Sequence, residues 1–239
     1  MKAEGRRQKA EGKPGGEVRK VLVCFAVKEE AGAFRRWAKG RGNVKVLLVG
    51  MGKRNAERAL RAALAEERPA LVLSCGFAGG LRPDLGTGAV VFAAAARSGL
   101  EAALLAAGAK PVRFHYADRV ATTAAEKRAL RETTGADAAE MESQGVCAVC
   151  REQGIPSAVV RVILDTAQED MPLDFNRLLT AGQKMRYGKL ALALAKSPGK
   201  IAGLLGLKRQ AQAAAGKLAE VLAKITGEWL PVPARRRVG

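Results

Sequence analysis

Between residues 20 and 165, short β-branched runs alternate with stretches of helical periodicity, and this alternation constrains the fold more than any other feature of the chain. Lys20–Val27, Val44–Val49 and Ala70–Cys75 are apolar runs of strand length. The spans between them, 29–39 and 54–66, carry apolar residues three and four apart. Joining parallel strands takes a crossover long enough to hold a helix, so a repeated strand–helix unit predicts a mostly parallel sheet with helices on its faces. The pattern continues past a Gly-rich turn at 76–80, with a strand over Gly88–Ala94, a short helix over 98–107 and a strand over Lys110–His115. Residues 123–134 read as a helix, 137–141 as a short strand, 143–153 as a helix, and Ser157–Leu164 as a buried strand ending at Asp165. The predicted fold class is α/β, one domain with a central twisted, mixed but mostly parallel sheet flanked by helices.

The ends differ from this middle. Residues 1–18 are rich in Gly, Lys, Arg and Glu without apolar periodicity and read as a flexible leader. After Pro172 the chain reads as basic helices over 173–195 and 207–226, separated by Ser197-Pro198-Gly199. The expected division is a leader at 1–18, an α/β domain at 19–195, and a basic helical extension and tail at 196–239. Charge follows the same division. Of the formal +18, residues 1–20 contribute +4 and residues 177–239 contribute +11, leaving +3 for the stretch between. A nearly neutral core with basic ends argues against a nucleic-acid-binding fold and suits contact with an anionic membrane surface.

Cys24, Cys75, Cys147 and Cys150 sit in apolar runs with no secretory signal before them, so free thiols in a cytoplasmic protein are expected. Cys147-x-x-Cys150 has the spacing of half a zinc site, but no second pair exists and His115 is the one histidine, so buried small side chains are the simpler reading. No apolar run approaches the length of a bilayer span.

In an open α/β sheet the ligand crevice lies beyond the carboxyl ends of the strands. Five segments stand there: Ala26-Val27-Lys28-Glu29-Glu30, Gly50-Met51-Gly52-Lys53, Cys75-Gly76-Phe77-Ala78-Gly79-Gly80-Leu81, Glu140-Met141-Glu142-Ser143, and Arg161-Val162-Ile163-Leu164-Asp165. In order and spacing they resemble the nucleoside phosphorylase and methylthioadenosine/adenosylhomocysteine nucleosidase superfamily over residues 20–176, about two thirds of the chain. The resemblance implies cleavage of the bond between a purine and a ribose carbon, with residues 19–195 as the catalytic domain.

By this resemblance Asp165 faces N7 of the purine as general acid, Glu142 grips the ribose hydroxyls beside the forming oxocarbenium ion, and Glu30 activates water. Each also has a plainer reading, as a turn cap for Asp165, a helix-start carboxylate for Glu142 and a solvated first-turn glutamate for Glu30. Glu29 is the rival to Glu30. Val27, Met51, Phe77, Gly79, Met141 and Phe175 would line the site, and Arg161 is either an anion contact or the residue that orients the carboxylates. Phe77 and Leu164 stand where many members carry serine, and Leu71-Val72-Leu73-Ser74 lacks the arginine with which phosphorylases hold phosphate. Hydrolysis is therefore favoured over phosphorolysis.

The short segment between Val91 and Ala121 and the basic helices after Phe175 further resemble the hopanoid-associated branch, which implies adenosylhopane as substrate and adenine as product. The alternatives are a methylthioadenosine, adenosylhomocysteine or futalosine-type nucleosidase, and a basic nucleic-acid-binding protein on the same fold. Expected partners are an adenine nucleoside, lipid-linked in the first reading, an anionic inner-membrane surface met through the C-terminal helices, and a second copy in a homodimer. No cofactor or metal is expected, with phosphate the one candidate co-substrate.

Overall fold

A computed structural model of the chain describes residues 19–94, 98–180, 182, 186 and 199–229. The expected leader, nearly all of the helix expected beyond residue 180, and the tail after 229 lie outside the described residues. The first half runs β1 (Val21–Phe25), α1 (Lys28–Ala38), β2 (Val44–Leu48), α2 (Lys53–Glu66), β3 (Leu71–Gly80), β4 (Val90–Ala94) and α3 (Glu101–Ala106). The second runs β5 (Lys110–Pro111), β6 (Phe114–Tyr116), α4 (Ala124–Thr134), β7 (Ala138–Glu140), α5 (Ser143–Glu152), β8 (Ser157–Asp165) and α6 (Lys200–Trp229).

The sheet has eight strands in the order β2-β1-β3-β8-β4-β5, and β7 joins the far end of β3 with β6 beside it. Pairing is parallel except for β4 against β8 and β7 against β3. Strand alternation sorts the apolar side chains onto two faces. Val23, Phe25, Leu73 and Val160 pack under α1 and α6, whereas Leu22, Cys24 and Val72 pack under α2 and α5. Cys24, Cys75 and Cys150 are buried free thiols, and Cys147 is half-buried.

Four features depart from the sequence reading. The glycines after Cys75 make a continuation of β3 and not a turn, paired with β8 as far as Ile163 and, past an irregularity at Ala78/Gly79, with Asp165. Small residues permit this, since a Cβ on Gly80 would stand 3.3 Å from the Asp165 carbonyl oxygen. The strand expected over Lys110–His115 is two, because β5 ends at Pro111, which has no N–H for a ladder, and β6 pairs elsewhere, with β7. The helix expected from residue 173 is absent over its described start, where a short 3-10 turn spans Phe175–Leu178. There Asp174 caps the Asn176 N–H, and the Asn176 side chain bonds the Val120 N–H and C=O, both at 2.9 Å, so local polar contacts win over helix extension.

The fourth concerns α6, a single helix of 30 residues that starts seven residues before the expected position. Leu218, Leu222 and Ile225 are fully buried in the core, and Trp229 Nε1 donates to Ser98 O at 3.2 Å. From Ala214 to Thr226 this helix is thus a packed layer of the domain, while its first turns are exposed. On the opposite face, Gly145 lets α5 approach α2, because a Cβ there would meet Lys53 O at 2.7 Å. Gly145→Ala is expected to lower stability by about 1–3 kcal/mol through overpacking, read as a lower urea midpoint with an unchanged slope.

Candidate active site

The carboxyl ends of β1, β3, β7 and β8 converge on one cavity of about 870 Å³. Val27, Glu30, Met51, Phe77, Gly79, Met141, Glu142, Asp165 and Phe175 all line it. Arg161 does not. It is 1 % exposed and lies beneath the floor, so it is not placed to contact a ligand as an anion site.

Glu30 sits in the first turn of α1 and turns back toward the end of β1. Its Oε2 accepts from the Ala26 and Val27 N–H groups at 2.9 and 3.2 Å, and its Oε1 accepts from the Phe77 N–H at 2.9 Å. The main chain at Phe77 thus contacts the carboxylate although the residue has no hydroxyl. Gly76 permits that closeness, since a Cβ there would stand 2.6 Å from Glu30 Oε1. Burial raises the Glu30 pKa, opposed by the Phe77 N–H, the Arg161 charge and the other two N–H donors. Each carboxylate oxygen can accept twice, so Oε1 keeps capacity for a ligand proton. The neighbouring Glu29 is exposed and also borders the cavity at its rim.

Glu142 precedes α5, and its Oε1 accepts from the Gly52 N–H at the start of α2 at 2.9 Å. Arg161 Nη2 lies 3.7 Å from its other oxygen. Burial pushes the Glu142 pKa up to about 7, with Arg161 opposing and the Glu30 and Glu140 charges reinforcing the rise. Glu140 is differently placed, with a side chain that accepts from Arg161 Nη2 at 2.5 Å, Ser143 Oγ at 2.6 Å and the Ser143 N–H at 2.9 Å. Burial alone would raise its pKa, but Arg161 and the Ser143 donors overcome that and hold Glu140 below the usual carboxylate range. Arg161 therefore clamps the Glu140 carboxylate from below, so that of the two glutamates bordering the cavity Glu142 has the side chain less tightly engaged.

Asp165 ends β8 opposite Gly79 of β3, and Leu164 lines the cavity beside it. Its Oδ2 lies 2.5 Å from Lys127 Nζ. Burial raises the Asp165 pKa, Lys127 opposes, and the Glu169 charge adds to the rise. Among the described residues no cluster of three or more His, Cys, Asp or Glu side chains is placed to hold a metal ion.

A family model described as the phosphorylase superfamily matches residues 17–118 and 110–194, most of the chain. The chain belongs to the phosphorylase superfamily. This superfamily member also shares its fold with solved structures. Futalosine hydrolase of Helicobacter pylori strain 26695 aligns at TM-score 0.66 and 17 % identity over 88 % of this chain and 98 % of its own. The 5′-methylthioadenosine/S-adenosylhomocysteine nucleosidase of Neisseria meningitidis, in complex with methylthio-immucillin-A, aligns at 0.66 and 18 % over 88 % and 100 %. The corresponding nucleosidase of Campylobacter jejuni aligns at 0.63 and 17 % over 88 % and 99 %. No curated protein matches by sequence.

Sequence reasoning about this superfamily member missed Lys127. It is the one buried residue of α4, whose start is fixed by a capping box in which Thr123 Oγ1 accepts from the Glu126 N–H and Glu126 Oε2 from the Thr123 N–H. A signal existed, since Lys127 falls on the helix stripe between Ala124 and Leu130, three residues from each, where an inward face carries apolar residues. No helix among the described residues is long and apolar enough to cross a membrane.

Proposed function

We propose that this enzyme hydrolyses the N-glycosidic bond of an adenine nucleoside, with adenosylhopane as substrate and adenine as product. The observation that carries the reading is the meeting of three buried carboxyl groups, Glu30, Glu142 and Asp165, around one cavity at the carboxyl ends of the strands. Asp165, with a raised pKa, protonates N7 of the departing purine. Glu142 takes the ribose hydroxyls and places negative charge beside the cationic sugar, and Glu30 accepts a proton from the attacking water. Hydrolysis is favoured over phosphorolysis because the floor at Glu30 and Phe77 offers a carboxylate, and the cation beneath it, Arg161, is engaged with Glu140.

The size and lining of the cavity support a large apolar substituent on the sugar. Its volume is near the upper end of ordinary ligand sites, roughly 300–1,000 Å³. It extends from the carboxylates between α1 and α6, where Gly32, Ala33, Leu204, Leu207 and Ala211 line it. Beyond that wall Ile201 and Leu205 are 44 and 50 % exposed, with Lys200, Lys208 and Arg209 also at the surface. Apolar side chains rimmed by cations suit the surface of an anionic membrane, where a lipid-linked nucleoside would be met. The rival reading, a nucleosidase for methylthioadenosine or a futalosine-type compound, draws on the activities named for the similar structures. Rates on lipid-linked adenosine and on methylthioadenosine separate the two, and a preference for methylthioadenosine would return the α6 surface to packing alone.

The pKa of Glu142 gives a pH prediction with a definite sign. The hydroxyl-gripping group must be ionised, and its pKa stands at about 7. Activity in kcat/KM is therefore expected to rise with pH through neutrality, falling about tenfold per unit on the acid side. Glu142→Gln should remove that limb along with most of the activity, so a pH-rate profile of both proteins checks the assignment.

A further inference from the structure

As general acid Asp165 must deliver a proton, yet the fold sets an ammonium group against it. Lys127 is 1 % exposed, and its Nζ lies 2.5 Å from Asp165 Oδ2, 2.7 Å from Thr166 O and 2.6 Å from Glu169 O. Three acceptors match the three N–H donors of a lysine, so the group is held by a complete set of partners. The loop that supplies the two carbonyls is itself tied, with Glu169 Oε2 accepting from the Thr166 N–H at 2.8 Å. The charged groups facing Asp165 are thus Lys127 from α4 and Glu169 from the loop after β8, while the β3 side presents Gly79. In this arrangement the proton nearest to Asp165 is on Lys127, which borders the same cavity and lies one hydrogen bond from the carboxylate.

We propose that Lys127 is a positioning residue that stores the proton of the reaction, which passes from Nζ through Asp165 to N7 of the purine as the glycosidic bond breaks. The inference rests on Asp165 being the general acid. In the step, the electron pair of the bond to the sugar stays with the purine, the Asp165 carboxylate takes a proton from Nζ and hands it on to N7, and the pair goes from ammonium and carboxylate to neutral amine and carboxylate. The attacking water gives its hydroxyl to the sugar carbon and its proton to Glu30. Glu30 then releases that proton to solvent and Lys127 regains one, so one water is consumed and no net charge is made. Burial favours this exchange, because desolvation penalises both members of an ion pair and brings the neutral acid–amine form closer in energy.

The test compares the unmodified enzyme with Lys127→Arg and Lys127→Met, following adenine release against pH and, beside it, turnover of 4-nitrophenyl riboside, whose leaving group needs no proton at N7. Arginine keeps the charge but does not yield a proton, so kcat on the adenine nucleoside is expected to fall by about 100-fold in K127R. In K127M the proton store is absent altogether, so kcat on the adenine nucleoside is expected to fall at least as far as in K127R. Both variants should keep near-normal rates on the nitrophenyl riboside, which also reports that the site is folded, and K127R serves alone if K127M does not fold. Unchanged kcat on the adenine nucleoside would overturn the proposal, as would parallel losses on both substrates, the mark of a purely structural lysine. If the unmodified enzyme releases no adenine from any nucleoside, the reading of Asp165 fails and this inference with it.

Discussion

Asp165→Asn is expected to lower kcat for adenine release by about 1,000-fold, the middle of the range that general acid catalysis supplies. The asparagine has nearly the shape of the aspartate, and its Oδ1 can still accept from Lys127 Nζ, so the end of β8 should keep its place against Gly79. What it loses is the proton for the leaving purine. The loss should therefore fall on kcat with little change in KM, as for a group whose contribution is made in the transition state. Stability should also fall, because Lys127 keeps a buried charge without its counter-charge, a cost of about 3 kcal/mol when one partner of such a pair is removed. Kinetics should thus be measured well below the melting temperature of the variant. Retained turnover in a folded D165N protein would remove Asp165 from the mechanism.

Glu30→Gln is expected to reduce hydrolysis by about 100- to 10,000-fold, and its pattern decides which nucleophile attacks. Both oxygens of Glu30 accept backbone N–H groups. A glutamine must turn its NH₂ toward Ala26 and Val27 or toward Phe77, so it loses an acceptor as well as the base. Leaving-group protonation by Asp165 is untouched. If water is the nucleophile, added phosphate does not restore adenine release. Phosphate-dependent turnover of E30Q that yields a sugar 1-phosphate would show that the enzyme is a phosphorolytic member of the superfamily and that Glu30 is not its base.

The sheet was legible because strand-length apolar runs and helical periods differ in spacing, and β1, α1, β2, α2, α5 and β8 lie within a residue or two of their expected ends. Glu30, Glu142 and Asp165 were singled out by the family resemblance, and they come together on one cavity because each lies at or just past the carboxyl end of a strand. Other features depend on partners distant in sequence. Glycines signal a turn until a neighbouring strand is present to pair with them, and Gly76–Gly79 pair with β8 while Gly80 pairs with β7. A lysine on a helix suggests solvent, and nothing local to Lys127 announces that Asp165, Thr166 and Glu169 will enclose it. Arg161 was read as either an anion contact or an orienting group, and only its depth, with Glu140 against it, places it below the floor. Residues 173–180 misled because helix propensity does not register the tie between Asn176 and Val120.

The most direct test of the central claim is adenine release by the purified protein from adenosylhopane in phosphate-free buffer. The expected result is release of adenine with formation of the free sugar, unaccelerated by added phosphate and faster than release from methylthioadenosine under the same conditions. Absence of adenine from both nucleosides, with and without phosphate, would contradict it.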